Sequence, residues 1–218
     1  MKIALLGKGK TGSKVLENKI HQIFAFDSKN PPTFERLETF DVIISFLPGD
    51  AFKSYIPLLV ETKLPVVIGS TGLEWPANLD QTLKDRKLSW IYATNFSLGV
   101  AVVKQMLNKL SHAQNFFPNH KTSIHEIHHT HKKDAPSGTA LSMEEWMHEK
   151  CSITSERTAD VIGFHELTFD TGYEKIKLSH EALDRKLFAD GAIWAAEYLF
   201  KNKNPGLNSF QEIIERTL

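Results

Sequence analysis

The stretch EIHHTHKKDAPSGTAL, residues 126–141, sets three histidines, two lysines and an aspartate ahead of a Pro-Ser-Gly-Thr turn and an apolar run. An imidazole, with an ordinary pKa near 6.5, gives or takes a proton at neutral pH. Ser137, Gly138 and Thr139 offer backbone N–H groups and hydroxyls at an expected helix start, and Lys132 adds a full positive charge. That combination suits a carboxylate. Solvated residues of an edge strand would account for Lys133 and His125, but not for the whole cluster. A metal site is disfavoured. On a regular strand His128 opposes His129 and His131, and two adjacent lysines repel a cation, so no metal is expected.

A second cluster lies near the start. Gly7, Gly9 and Gly12 form G-x-G-x-x-G directly after one apolar run and before a helical pattern. Glycines there let the backbone turn tightly and approach a pyrophosphate, whose charge meets the positive end of the following helix. Asp27 ends the next expected strand, where an acid accepts hydrogen bonds from an adenosine ribose. Its charge favours NAD over NADP, whereas Lys8, Lys10, Ser28 and Lys29 offset the repulsion of a 2′-phosphate, so both cofactors stay open. Together the clusters describe reduction of an anionic, unsaturated small molecule, with hydride from a nicotinamide and a proton from the protein.

Both clusters need a scaffold. Runs at 2–6, 22–26, 41–46, 65–69 and 89–93 are compact and rich in Val, Ile and aromatics, as for strands buried on both faces of a parallel sheet. Between them, 50–63 reads as a helix capped by Asp50 and kinked or delayed by Pro57. Segment 75–87 reads as a helix with Pro76 in its first turn, and 28–40 as a loop. The expected fold is α/β, a doubly wound parallel sheet with ligand loops at 7–12, 69–72 and 94–99. Beyond Asn95 the pattern changes to a helix (98–113), a strand (121–131), a helix (138–150), two strands (161–171 and 174–183) and a helix (191–203). Residues 1–95 are expected to form a dinucleotide-binding domain and 96–190 a second domain, with a C-terminal helical segment, 191–218, returning to the first.

Composition narrows the class. Lys+Arg and Asp+Glu both number 26, so no overall field recruits nucleic acid or a membrane. No apolar stretch approaches the roughly 20 residues that span a bilayer. The single cysteine, Cys151, has no internal disulfide partner, and the apolar start is too short for a signal sequence, so a cytoplasmic setting is expected.

The 126–141 stretch resembles the signature of the dihydrodipicolinate reductase family: Glu, a His-His pair, Lys four residues after the first His, then Asp-Ala-Pro-Ser-Gly-Thr. VIGSTG (67–72), ATNFSLGV (93–100) and LFADGA (187–192) are similar to further family landmarks, in the family's order. The resemblance implies a Rossmann-type first domain and a second α+β domain with a mixed sheet that mediates tetramer formation. It implies reduction of a cyclic unsaturated dicarboxylate with NADH or NADPH in lysine and diaminopimelate biosynthesis, the substrate being bound between closing domains. His128 becomes the acid–base residue, Lys132 its catalytic partner and a substrate contact, and His129 a further contact. The Gly138 and Thr139 amides, with Ser137 nearby, grip a substrate carboxylate. Gly7, Lys8, Gly9, Lys10, Thr11, Gly12, Asp27, Gly69, Ser70, Thr71, Ala93, Thr94, Asn95 and Phe96 become the cofactor site.

The chain departs from the family pattern in places. Lys10 and Thr11 stand where an Arg is common. Thr158, Ala159 and Phe164 replace usual residues of the Arg-Gly-Gly and Val-Gly-Glu-His segment, although Arg157 is kept and could reach a substrate carboxylate. Loops near 114–121 and 150–157 are trimmed. Alternative readings are a reductase of another imino or keto dicarboxylate and a non-catalytic nucleotide sensor.

Overall fold

Buried runs of β-branched residues pack well on a pleated surface covered from both sides. In the computed structural model, which describes residues 1–218 throughout, they build the expected parallel sheet. The chain divides into two compact units, Met1–Leu98 with Arg185–Leu218, and Gly99–Asp184. In the first unit the strands are β1 (Lys2–Leu6), β2 (Gln22–Phe26), β3 (Val42–Ser45), β4 (Val66–Ile68), β5 (Ser89–Tyr92) and β10 (Gly206–Ser209), in the order β10-β5-β4-β3-β1-β2. Every pairing is parallel, so the carboxyl ends of the strands share one edge. The order reverses between β1 and β3, where such sheets take their ligand.

The unit's helices are α1 (Lys10–Leu16), α2 (Phe34–Leu37), α3 (Gly49–Thr62), α4 (Leu79–Asp85), α7 (Lys186–Lys201) and α8 (Phe210–Thr217). α3 departs from expectation: it starts at Gly49 after Pro48, ahead of Asp50, and runs through Pro57. Proline inside a helix costs about 3 kcal/mol. Pro57 itself is exposed, whereas Phe52, Ile56, Leu59 and Val60 are buried, and at roughly 1.5–3 kcal/mol each they outweigh that cost. α4 starts later than expected, at Leu79, because Pro76 lies in the preceding turn, its carbonyl accepting from the Leu79 N–H at 3.0 Å. β2 is a sheet edge, not a doubly buried strand, and Phe24 is half-exposed. Residues 28–40 are a loop with the single turn of α2. Segment 191–218 is not one helix: α7 begins at Lys186, and after it the chain adds β10 and α8.

The second unit carries α5 (Leu98–Ala113, bridging the division), a short 3-10 turn (Gln114–Phe116), β6 (Lys121–His128), α6 (Gly138–Met147), β7 (Ser152–Arg157), β8 (Gly163–Asp170) and β9 (Lys175–Ala182). The sheet order is β7-β6-β8-β9, with β6 and β7 parallel and the other pairs antiparallel. One face packs Ile124, Leu167 and Phe169 against Val103 and Leu107 of α5 and Ala140, Met143 and Met147 of α6. β7 is not among the strands expected from the sequence. Its SITSER run is mostly exposed and lacks the apolar alternation that signals a strand. No helix is long and apolar enough to cross a membrane.

Candidate functional site

The first unit brings its expected residues to the carboxyl edge of the sheet. The 7–12 loop follows β1, Asp27 follows β2, Gly69 to Thr71 follow β4, and Ala93 to Phe96 follow β5. Gly7 has φ +95°, a left-handed conformation that disfavours any side chain. A Cβ on Gly12 would lie 2.1 Å from the Gly7 carbonyl oxygen, whereas one on Gly9 would meet nothing within 4 Å. The loop is thus closed behind by α1 and open in front of Gly9, where no side chain caps the helix. The Asp27 carboxylate accepts from the Lys29 and Asn30 amides, both at 2.9 Å, and pairs with Lys8 Nζ at 2.6 Å. The Lys8 contact leads in holding its pKa below the usual range. The buried Ser70 hydroxyl has no partner within the protein. An open glycine loop, an aligned acid and an orphaned hydroxyl on one sheet edge fit a dinucleotide. Phe96 differs from the rest. Its ring is buried in the core against Phe46 and Phe210.

In the second unit, alternation along β6 turns Thr122, Ile124, Glu126 and His128 to the covered face. Register then sets Glu126 opposite His165 on β8, and His128 beside Arg157 on β7. The face is apolar at one end and ionisable at the other. Glu126, wholly buried, accepts at Oε1 from the Ser137 N–H at 3.1 Å and from Arg157 Nη2 at 3.0 Å. Its Oε2 lies 2.9 Å from His128 Nδ1 and 3.8 Å from His165 Nε2. Gly163 leaves room for the His128 ring, since a Cβ there would sit 3.1 Å from His128 Nε2. Burial would raise the pKa of Glu126, but Ser137, Ser155 and Arg157 hold it down at about 2. Burial lowers the pKa of His128, helped by Lys132 and Arg157 and opposed by Glu126 and Asp134. His165 is pushed down to about 4, by burial first and then by His128.

β6 ends at His128, and residues 129–132 form a turn closed by Lys132 N–H to His129 O at 3.1 Å. The expected strand to 131 is therefore too long, and alternation does not govern His129 and His131. Ligand atoms of Glu126, His128 and His165 do lie within 4.8 Å of one another, but Arg157 already holds the carboxylate. Lys132 Nζ is paired with both Asp134 oxygens, at 2.8 and 2.9 Å. Ser137 is buried. Its hydroxyl caps α6 through the Ala140 N–H at 3.2 Å and lies 3.1 Å from His165 Nε2, so its side chain faces inward. Gly138, exposed, and Thr139, half-buried, open the helix beside it. Glu126, Arg157 and His165 were not read as a group because only cross-strand register joins them. An acid two residues before the first histidine, on the same strand face, was the available signal.

The loop after β7 carries a strained residue. Ala159 has φ +44° and is exposed, a conformation that costs an L-residue roughly 1–2 kcal/mol. Ala159→Gly is expected to stabilise the protein by about 0.5–1 kcal/mol, since glycine's own entropic cost offsets part of that relief. A thermal melt should then rise by roughly 1–4 °C; an unchanged or lower midpoint would contradict the strain.

A doubly wound parallel sheet with a glycine loop, joined in one chain to a mixed-sheet unit bearing a buried imidazole–carboxylate group, defines a nicotinamide-dependent oxidoreductase. Two family models cover most of the chain: dihydrodipicolinate reductase, N-terminus, over residues 10–96, and dihydrodipicolinate reductase, C-terminus, over 99–214. The chain belongs to the dihydrodipicolinate reductase family of NAD(P)H-dependent oxidoreductases. It is 35% identical to the 4-hydroxy-tetrahydrodipicolinate reductase of Christiangramia forsetii, with 98% of each chain covered. Against the enzyme of that name from Pelagibacter ubique it is 32% identical, over 94% of this chain and 86% of the relative. Its fold is similar to that of a dipicolinate-bound dihydrodipicolinate reductase from Paenisporosarcina sp. TG-14, with a TM-score of 0.76 at 23% identity, covering 98% of this chain and 99% of that one.

Proposed function

We propose that this chain reduces 4-hydroxy-tetrahydrodipicolinate to tetrahydrodipicolinate, with NADH or NADPH as the reductant, as a cytoplasmic homotetramer. Family membership supports the reaction. The observation that carries the residue assignment is the tie between a proton-carrying imidazole and an anion-binding turn, since Glu126 contacts both His128 and Ser137. The nicotinamide, when bound, supplies the hydride. Lys132 and the amides of Gly138 and Thr139 bind one substrate carboxylate, and His129 makes a further contact. His128 delivers the proton. Burial favours its neutral form in the substrate-free protein, and a bound dianion favours the imidazolium, so the acid is charged when substrate arrives. The protein's remaining work is orientation, because the cofactor carries the hard chemistry. The test is loss of reduced-cofactor absorbance on adding freshly prepared 4-hydroxy-tetrahydrodipicolinate. Cofactor binding without substrate-dependent oxidation would overturn the activity, and faster oxidation with another imino or keto dicarboxylate would reassign the substrate.

Asp27 and Lys8 together decide the cofactor in this reading. The acid accepts ribose hydroxyls, and the lysine on its Oδ2 offsets the charge that would repel a 2′-phosphate. Both cofactors are therefore expected to work. A hydrogen bond to a charged group is worth about 1.5–3 kcal/mol, so Asp27→Ala should raise the NADPH-to-NADH ratio of kcat/KM by roughly 10- to 150-fold. Lys8→Ala should lower it. Steady-state rates with each cofactor decide the matter, and a ratio indifferent to Asp27 would remove that residue from the site.

A further inference from the structure

Glu126 is the one carboxylate among the buried polar residues of the protein. Oε1 is held by the Ser137 N–H at 3.1 Å and by Arg157 Nη2 at 3.0 Å. The same Nη2 donates to the Asp134 carbonyl at 2.6 Å, so the carboxylate also fixes the loop that carries Lys132. Oε2 is turned to His128 Nδ1 at 2.9 Å and has no conventional hydrogen bond of its own. One side chain thus touches the imidazole, the start of α6 and, through Arg157, the loop between them. We infer that Glu126 is a positioning residue of the reaction: its buried carboxylate, facing His128 Nδ1 at 2.9 Å, stabilises the charged form of that ring, and its bonds to the Ser137 amide and Arg157 keep the ring in register with the carboxylate-binding turn.

The inference rests on the reading of His128 as the acid, and its chemistry follows from the neighbours. A fixed carboxylate beside an imidazole favours the charged ring through its field, without a hydrogen bond to either nitrogen. The charged and titratable groups around His128 are Glu126 on β6, Arg157 on β7, His165 on β8 and, in the loop, Lys132 and Asp134, with His180 of β9 behind His165. Among them Glu126 and Asp134 favour the imidazolium, and Lys132 and Arg157 disfavour it. Of the favourable pair, only Glu126 is buried, where screening is weakest.

Glu126→Gln keeps the shape and removes the charge, so the pH at which kcat/KM begins to fall should move down by about one unit or more. A one-unit shift corresponds to about tenfold lower kcat/KM at neutral pH. Arg157→Gln removes an opposing charge and should move the same limb up; it keeps the question decidable if the first variant folds poorly. His128→Ala, run alongside, should abolish the limb. A limb that vanishes in His128→Ala but stays in place in the folded Glu126→Gln protein, or that fails to move up in Arg157→Gln, overturns the role of Glu126 and leaves His128 as the acid. A limb that persists in His128→Ala overturns both.

Discussion

Replacing His128 with alanine is expected to lower turnover by about 100- to 10,000-fold, the contribution of a positioned general acid, while NADH affinity stays close to that of the unaltered protein. The separation follows from the architecture. His128 lies in the Gly99–Asp184 unit, and the glycine loop and Asp27 lie in the other. The pH profile supplies a second check. An acid must hold its proton, and His128 in the substrate-free protein has a pKa lowered from 6.5 by burial. kcat/KM reports the free enzyme, so it should fall, tenfold per unit, as pH rises through a value below 6.5. kcat reports the complex, in which the substrate's carboxylates favour the imidazolium, and its limb should lie at higher pH. Unaltered turnover in His128→Ala would remove the residue from the chemistry, and isothermal titration with NADH would show whether any loss came from the cofactor instead.

Why the sequence showed some of this and hid the rest is a matter of which interactions are local. The strands of the parallel sheet are legible because each is a short run of residues that must be buried on both faces, and β1, β3, β4 and β5 are almost wholly buried. The helix start at Ser137 is legible too, since the cap, the glycine and the apolar run are adjacent. β7 and β10 are not. SITSER and GLNS owe their extended form to the strands beside them, β6 and β5, more than to their own residues. The same holds at the site. His128, Lys132 and Ser137 stand within ten residues of one another in the chain, whereas Arg157 and His165 reach Glu126 only after β6 has paired on both sides. Ser137 shows the cost of reading residue types without directions: its hydroxyl is consumed by the Ala140 N–H and His165 and its amide by Glu126, so the proposed carboxylate grip falls to the amides of Gly138 and Thr139 alone.

The glycine loop allows the cofactor reading to be separated from mere structural need, because two of its glycines are glycine for different reasons. At Gly12 the requirement is internal. A methyl group there would lie 2.1 Å from the Gly7 carbonyl oxygen, so α1 must shift away from β1 or Gly7 must leave its φ of +95°. Overpacking of that kind costs about 1–3 kcal/mol, and Gly12→Ala should both melt lower and bind NADH more weakly. At Gly9 the protein itself imposes nothing, since a Cβ would find no atom within 4 Å and φ is −69°. If a pyrophosphate approaches the backbone there, as the spacing of the loop implies, Gly9→Ala should melt like the unaltered protein and yet lose about tenfold or more in NADH affinity. The two variants are read by one melt and one titration each. A Gly9→Ala protein that binds NADH as tightly as before would mean that the space in front of this loop is not where the cofactor's phosphates lie.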